Sequence, residues 1–87
     1  MFMAMSAPAI ADMSLALALR QLRHKRGYTQ EDLAYRAGLT VAALARIERG
    51  QANPTWTTVR RIADALDMGV QALGRAVERA DADRRDV

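Results

Sequence analysis

Cysteine is absent, histidine occurs once, and the aromatic residues amount to one Trp, one Phe and two Tyr. Without cysteine the chain can build no disulfide framework, no thiolate zinc site and no thiol switch, a composition suited to a reducing cytoplasm. One histidine, His24, cannot assemble a metal cluster or a His-based catalytic group, so neither a metal nor a cofactor is expected. No apolar run approaches the roughly 20 residues that cross a bilayer. The opening stretch MFMAMSAPAIADM lacks the basic n-region and long apolar core of a signal peptide. Gly-rich phosphate loops, paired-carboxylate sites and nucleophile elbows are missing, so catalysis is not expected. No segment sustains period-two alternation, which removes strands and leaves an all-α chain.

Charge is plentiful and unevenly placed. The 87 residues carry 13 Lys or Arg against 10 Asp or Glu, a net charge of +3. Residues 14–74 hold nine basic side chains against five acidic ones, whereas residues 75–87 hold four of each. The positive excess therefore belongs to the part that folds, as an acidic polymer partner such as DNA would require. The length suits one small domain with a modest core.

Apolar periodicity and capping residues predict five helices. Leu15, Leu19 and Leu22 recur at i, i+4 and i+7, with Ser14 as the expected N-cap and Gly27 just past the end near Arg26. Thr29 opens a second helix, and Asp32 three residues on makes an acidic capping box. Thr40 caps a third helix that ends at Gly50. Pro54 stiffens the next loop, and Thr55 caps a fourth helix bearing Val59, Ile62, Ala63 and Leu66. After Met68-Gly69 a short fifth helix carries Val70, Leu73 and Val77. Among the aromatics, Trp56 reads as a partly buried wedge, and Tyr28 as a staple before the Thr29 cap.

Residues 29–50, TQEDLAYRAGLTVAALARIERG, are the most informative stretch. A small Ala34, a Gly38 suited to positive φ, and apolar Leu33, Ala37, Leu39, Leu44 and Ile47 describe two helices crossing through a short turn. The outer side of the second of these helices is left to read bases. This stretch resembles the phage-repressor (Cro-like, XRE) helix-turn-helix family. The likeness extends over LALALRQLRHKRGYTQ before it and IERGQANPTWTTVRRIADALDMGVQAL after it, roughly residues 15–74. It implies a compact five-helix, lambda-repressor-like domain that binds double-stranded DNA.

The resemblance also implies roles for individual residues. Base contacts fall on the positions of Val41, Ala42 and Arg46; only Arg46 has donors that can fork onto guanine O6 and N7, while Val41 and Ala42 offer apolar contact to a thymine methyl. The family often has Gln or Ser at those two places, so hydrogen-bonded specificity is expected to be thin. Gln30 and Thr40, at helix starts, and Arg49 and Asn53, beside the following loop, correspond to DNA-gripping positions, with capping as an alternative use of Thr40. Lys25, Arg26 and Arg36 are further sources of attraction. Arg23 and Glu48 match a structural ion pair between the first and third helices.

The expected organisation is a flexible or dimer-contacting leader at residues 1–13, presenting Phe2, Met5 and Ile10. A helix-turn-helix domain at 14–77 and a charged tail at 78–87 follow it. The expected function is a sequence-specific DNA-binding transcriptional regulator, a homodimeric repressor with helix 41–49 in the major groove. Leu73 and Val77 of the fifth helix are taken as exposed candidates for the dimer surface. Three alternatives remain open: an antitoxin that binds a toxin protein and represses its own promoter, a restriction-modification controller, and a purely protein-binding adaptor that keeps the fold.

Overall fold

The structure, a computed structural model, describes residues 12–85. Its helices are α1 (Met13–Lys25), α2 (Gln30–Ala37), α3 (Val41–Glu48), α4 (Trp56–Ala65) and α5 (Val70–Arg85), with no strand among the described residues. The proposed leader contacts Phe2, Met5 and Ile10 lie outside the described residues.

Local signals start and stop most of these helices. The hydroxyl oxygens of Thr29, Thr40 and Thr55 accept from Asp32, Ala43 and Thr58 backbone N–H groups, satisfying donors that the first turn leaves open. Asp32 returns the bond to the Thr29 N–H at 2.9 Å, completing the capping box. That bond and the Thr29 hydroxyl hold the Asp32 carboxyl below its ordinary pKa. Gly38 turns the chain between α2 and α3 at φ 71°, a left-handed conformation that costs a β-carbon-bearing residue strain.

The start of α1 differs from expectation. Asp12, not Ser14, is its N-cap, accepting the Leu15 N–H at 2.9 Å. Ser14 is buried inside the first turn, where its hydroxyl donates to Asp81 and accepts from Arg84, each at 2.8 Å. Met13, assigned to the leader, packs its sulfur against the turn after α3. A β-carbon on Gly50 would collide with it, and Gly50 also sits at φ +70°.

Helices α1 and α5 lie side by side, α1 also meets α3, and α2 packs on both α3 and α4. Leu19, Leu33, Leu44, Ile62 and Leu66 fill the centre, with Ala34 and Ala37 allowing close approach within the α2–α3 pair. Leu39, Val59 and Tyr28 pack on the rim of this cluster. Removing such apolar area from water stabilises at about 25 cal/mol per Å².

Helix α5 is longer than the sequence suggests. It continues through residues expected as a charged tail, and Ala80 is 1% exposed. The reason is that α1 meets it through small residues: Ala18, Ala76 and Ala80 line one crevice, and such alanines leave no apolar stripe to read. Asp81 pairs with Arg84 and Arg85 on the outer side, and Arg85 together with Ser14 lowers its pKa.

Two further expectations are corrected. Leu73 is 2% exposed and belongs to the core cluster, so it cannot form a free dimer surface. Trp56 is 62% exposed rather than a partly buried wedge.

Leu73→Asp is expected to unfold the domain, not to release a folded monomer, because an unpaired carboxylate would replace core packing. Loss of helical circular dichroism at 25 °C checks this, whereas a folded monomer would contradict it. Acid should also weaken the fold. Asp32 and Asp81 have lowered folded-state pKa values, so their contribution is present above the unfolded value of about 3.9 and is lost as pH falls below it. Urea midpoints should therefore drop between pH 5 and pH 3 less in an Asp32→Asn, Asp81→Asn double variant than in the parent.

Candidate nucleic-acid interface

The face that α3 turns inward is clamped by charge. Glu48 is 1% exposed, and its carboxylate accepts from Arg23 Nε at 2.9 Å and Arg23 Nη2 at 3.1 Å. Gln30 Nε2 donates to the same carboxylate at 2.9 Å. Arg23 Nη1 continues to the Tyr28 carbonyl at 3.0 Å, and Arg20 donates to the Glu48 carbonyl. One carboxylate thus ties α1, α2 and α3 together. No buried side-chain nitrogen or oxygen among the described residues lacks a partner, as a low-dielectric network of this kind requires.

With Leu44, Ile47 and Glu48 inside, the outer side of α3 follows by helical spacing. Val41 (41% exposed), Ala42 and Arg46 are open to solvent, with Ala45 half-buried between them. Arg46 Nη2 is 3.5 Å from the Gln51 carbonyl, and Arg49 Nε is 3.2 Å from Gln51 Oε1. Both contacts are long and exposed, leaving most of each guanidinium's donors for another partner. Gln51 was not singled out from the sequence; only its place beside Gly50, between two arginines and Asn53, hints at it.

Not every residue expected on DNA is equally available. Thr40 Oγ1 accepts from Ala43 N–H at 3.0 Å, which leaves its hydroxyl hydrogen to donate. Asn53 Oδ1 accepts the Asp12 N–H at 2.8 Å, so its carbonyl end ties the loop to the start of α1 while its amide NH₂ remains a donor. Gln30 is half-buried against Glu48, so part of its hydrogen-bonding capacity serves the fold.

The supplementary basic residues diverge as well. Arg26 Nε donates to the Leu66 carbonyl at 2.8 Å, closing the end of α4, and Arg36 lies 4.4 Å over the Tyr28 ring. Lys25 stays exposed. Tyr35 on α2 is 89% exposed.

Helices α2 and α3, packed together through the left-handed Gly38 turn with the outer side of α3 facing solvent, define a helix-turn-helix module. Residues 14–76 match the helix-turn-helix domain family, and the chain belongs to that family. It is 36% identical over 66 residues to the HTH-type transcriptional regulator DdrOP3 of Deinococcus deserti, covering 76% of this chain and 51% of that protein. The immunity repressor protein of Bacillus phage phi105 is 36% identical over 61 residues, 70% of this chain and 42% of the repressor. The chain thus spans about half the length of these relatives or less. Among solved structures, the restriction-modification controller protein C.AhdI of Aeromonas hydrophila superposes with a TM-score of 0.68 at 34% identity, covering 70% of this chain and 92% of that one.

The buried network predicts a graded loss of stability. Glu48→Ala strands Arg23 in a desolvated setting and should cost about 3–5 kcal/mol. Gln30→Ala removes one neutral donor to a carboxylate and should cost about 1–3 kcal/mol. Asp64→Ala, on the exposed side of α4, should stay within about 0.5 kcal/mol of the parent. Urea unfolding of the three variants measures the order; equal midpoints would remove the network from its proposed role.

Proposed function

We propose that the chain is a sequence-specific DNA-binding transcriptional regulator, a homodimeric repressor that lays α3 in the major groove. The observation that carries this reading is the division of α3. Its inner side is fixed to two other helices through Glu48, while Val41, Ala42 and Arg46 stand outward together. A rigidly held helix with an unencumbered outer side is what groove reading needs, because base discrimination depends on donor positions being set before contact.

Arg46 supplies the forked donors for guanine, and the methyl groups of Val41 and Ala42 suit a thymine methyl. Thr40 and Arg49 act on the phosphates at either end of α3, joined by the Asn53 NH₂. Gln30, held by Glu48 at the start of α2, turns its remaining hydrogen-bonding capacity to the nearby DNA phosphate. The positive excess over residues 14–74 supplies sequence-independent attraction. Two copies would place their α3 helices on half-sites about 34 Å apart, one helical turn.

A second reading, control of a restriction-modification system, is favoured by the 34% identity to C.AhdI across 92% of that protein. It differs in the genes regulated and not in the chemistry of the interface.

Duplexes selected from a random DNA pool by the full chain test binding, symmetry and half-site spacing together. On the selected site, Arg46→Ala should lose about 1–3 kcal/mol and relax preference at one base pair per half-site. Arg49→Ala should weaken selected and scrambled duplexes alike, reducing the salt slope by about one unit per phosphate contact removed. If Arg46→Ala weakens both duplexes equally, Arg46 is a phosphate clamp. If the pool yields no enriched sequence, the regulator reading fails.

A further inference from the structure

An open groove of about 660 Å³ lies between the N-terminal parts of α1 and α4 and the middle of α5. Leu15, Val59, Val70 and Val77 line it, each only half-buried against the core. Trp56 stands at its edge, 62% exposed, which leaves a large apolar ring in water. Gly74 keeps one wall free of any side chain, and a β-carbon there would meet nothing within 4 Å.

Asp12 also lines this groove, and it is the residue at which residues 1–11 join the domain. Two bonds fix its position. Its carboxylate caps α1 by accepting the Leu15 N–H at 2.9 Å, and its own N–H donates to Asn53 Oδ1 at 2.8 Å. Its extended backbone, φ −73° and ψ 103°, takes the chain off the axis of α1. Pro8 lacks an N–H and favours extended chain at Ala7, so a helix running upstream has no support there.

The sequence of residues 1–11, MFMAMSAPAIA, suits an apolar groove. It contains no Asp, Glu, Lys or Arg, so neither a phosphate backbone nor a charged protein face would attract it. Phe2, Met3, Met5 and Ile10 carry most of its apolar area. At about 3.5 Å per extended residue, Ile10 stays within roughly 7 Å of Asp12 and Met5 within roughly 25 Å. The lining residues of α5 run from Val70 to Glu78, about 12 Å of helix at 1.5 Å per residue, so the segment is long enough to cover them. A tethered segment also meets its site at an effective concentration in the millimolar range, which a free partner at micromolar concentration does not match.

We propose that residues 1–11 fold back in cis and fill this groove. Their apolar side chains cover Val59, Val70, Val77 and the Trp56 indole. The occupant is the chain's own leader and not a partner subunit, and any other apolar ligand of the groove must displace it.

Trp56 is the sole tryptophan, so its fluorescence in the full chain reports the groove directly. The test compares acrylamide quenching of the parent with that of the triple variant Phe2→Ser, Met5→Ser, Ile10→Ser. These substitutions lie outside the five helices, so the helical circular dichroism should be kept. Quenching in the variant should rise at least about twofold, with emission shifted to the red, as the docked fraction falls. A control carrying Ala4→Ser, Ala7→Ser and Ala9→Ser should behave as the parent does. Quenching of the parent should be the same at about 0.5 and about 50 µM, because docking in cis does not depend on concentration. Equal quenching of parent and triple variant overturns the proposal, as does a control that exposes Trp56 as fully as the triple variant. Protection that appears only at the higher concentration assigns the groove to a second copy. Protection that appears only with duplex DNA assigns it to the DNA, and either result overturns docking in cis.

Discussion

The domain depends on a carboxylate placed where water cannot reach it. Glu48 ends α3, and its buried charge is tolerable only because Arg23 of α1 meets it with two nitrogens and Gln30 of α2 with a third. In a low-dielectric setting such bonds are strong and also demanding, since each departure from geometry exposes an uncompensated charge. The net stability of the pair is small against a hydrophobic replacement of the same volume. Its directional character is what apolar packing lacks. Leu44 and Ile47 can slide against their neighbours, whereas the forked Arg23–Glu48 contact resists rotation of α3 about its axis.

That constraint determines what the outer face of α3 presents. The bearing of Val41, Ala42 and Arg46 relative to the rest of the molecule follows from where Glu48 is held, six residues from Ala42 on the same helix. The Gly50 turn, just past Glu48, contributes at the same end of the helix. Its left-handed backbone and the Met13 sulfur packed over it position Gln51, against which Arg46 and Arg49 rest at long, exposed distances. Asn53 then binds the loop back to Asp12, the cap of α1. The C-terminal end of α3 and the loop after it are thereby braced by both ends of α1, a helix that contributes no proposed base contact itself.

The arginines show how one residue type divides its labour. Arg23 is buried and structural, Arg26 closes the last turn of α4, and Arg36 covers the ring of Tyr28. Arg46 and Arg49 keep most of their donors open. A count of basic residues therefore overstates the available grip, although every one of them still adds to the long-range potential. Helix α5 turns alanines toward α1 and charged residues toward solvent.

Much of the fold was legible in the sequence because its determinants are short-range. A threonine before a helix, an aspartate three residues on, and a glycine after the last apolar position act on backbone groups within one turn. The five helices, the α2–α3 turn and its all-α class follow from such signals. The Arg23 and Glu48 positions were readable because they match a family pattern, not because spacing alone joins residues 25 apart. What only the tertiary structure decided involves partners far away along the chain. Asp12 displaces Ser14 as a cap because Ser14 is needed by Asp81, 67 residues on. Asn53 and Arg26 are engaged by groups 41 and 40 residues distant. Leu73 and Trp56 exchange their expected environments, and α5 outruns its apolar pattern, because burial depends on which surface another helix covers. Periodicity shows that a helix has an apolar face; it holds no information on which neighbour closes over each residue of that face, or on where small side chains let two helices meet.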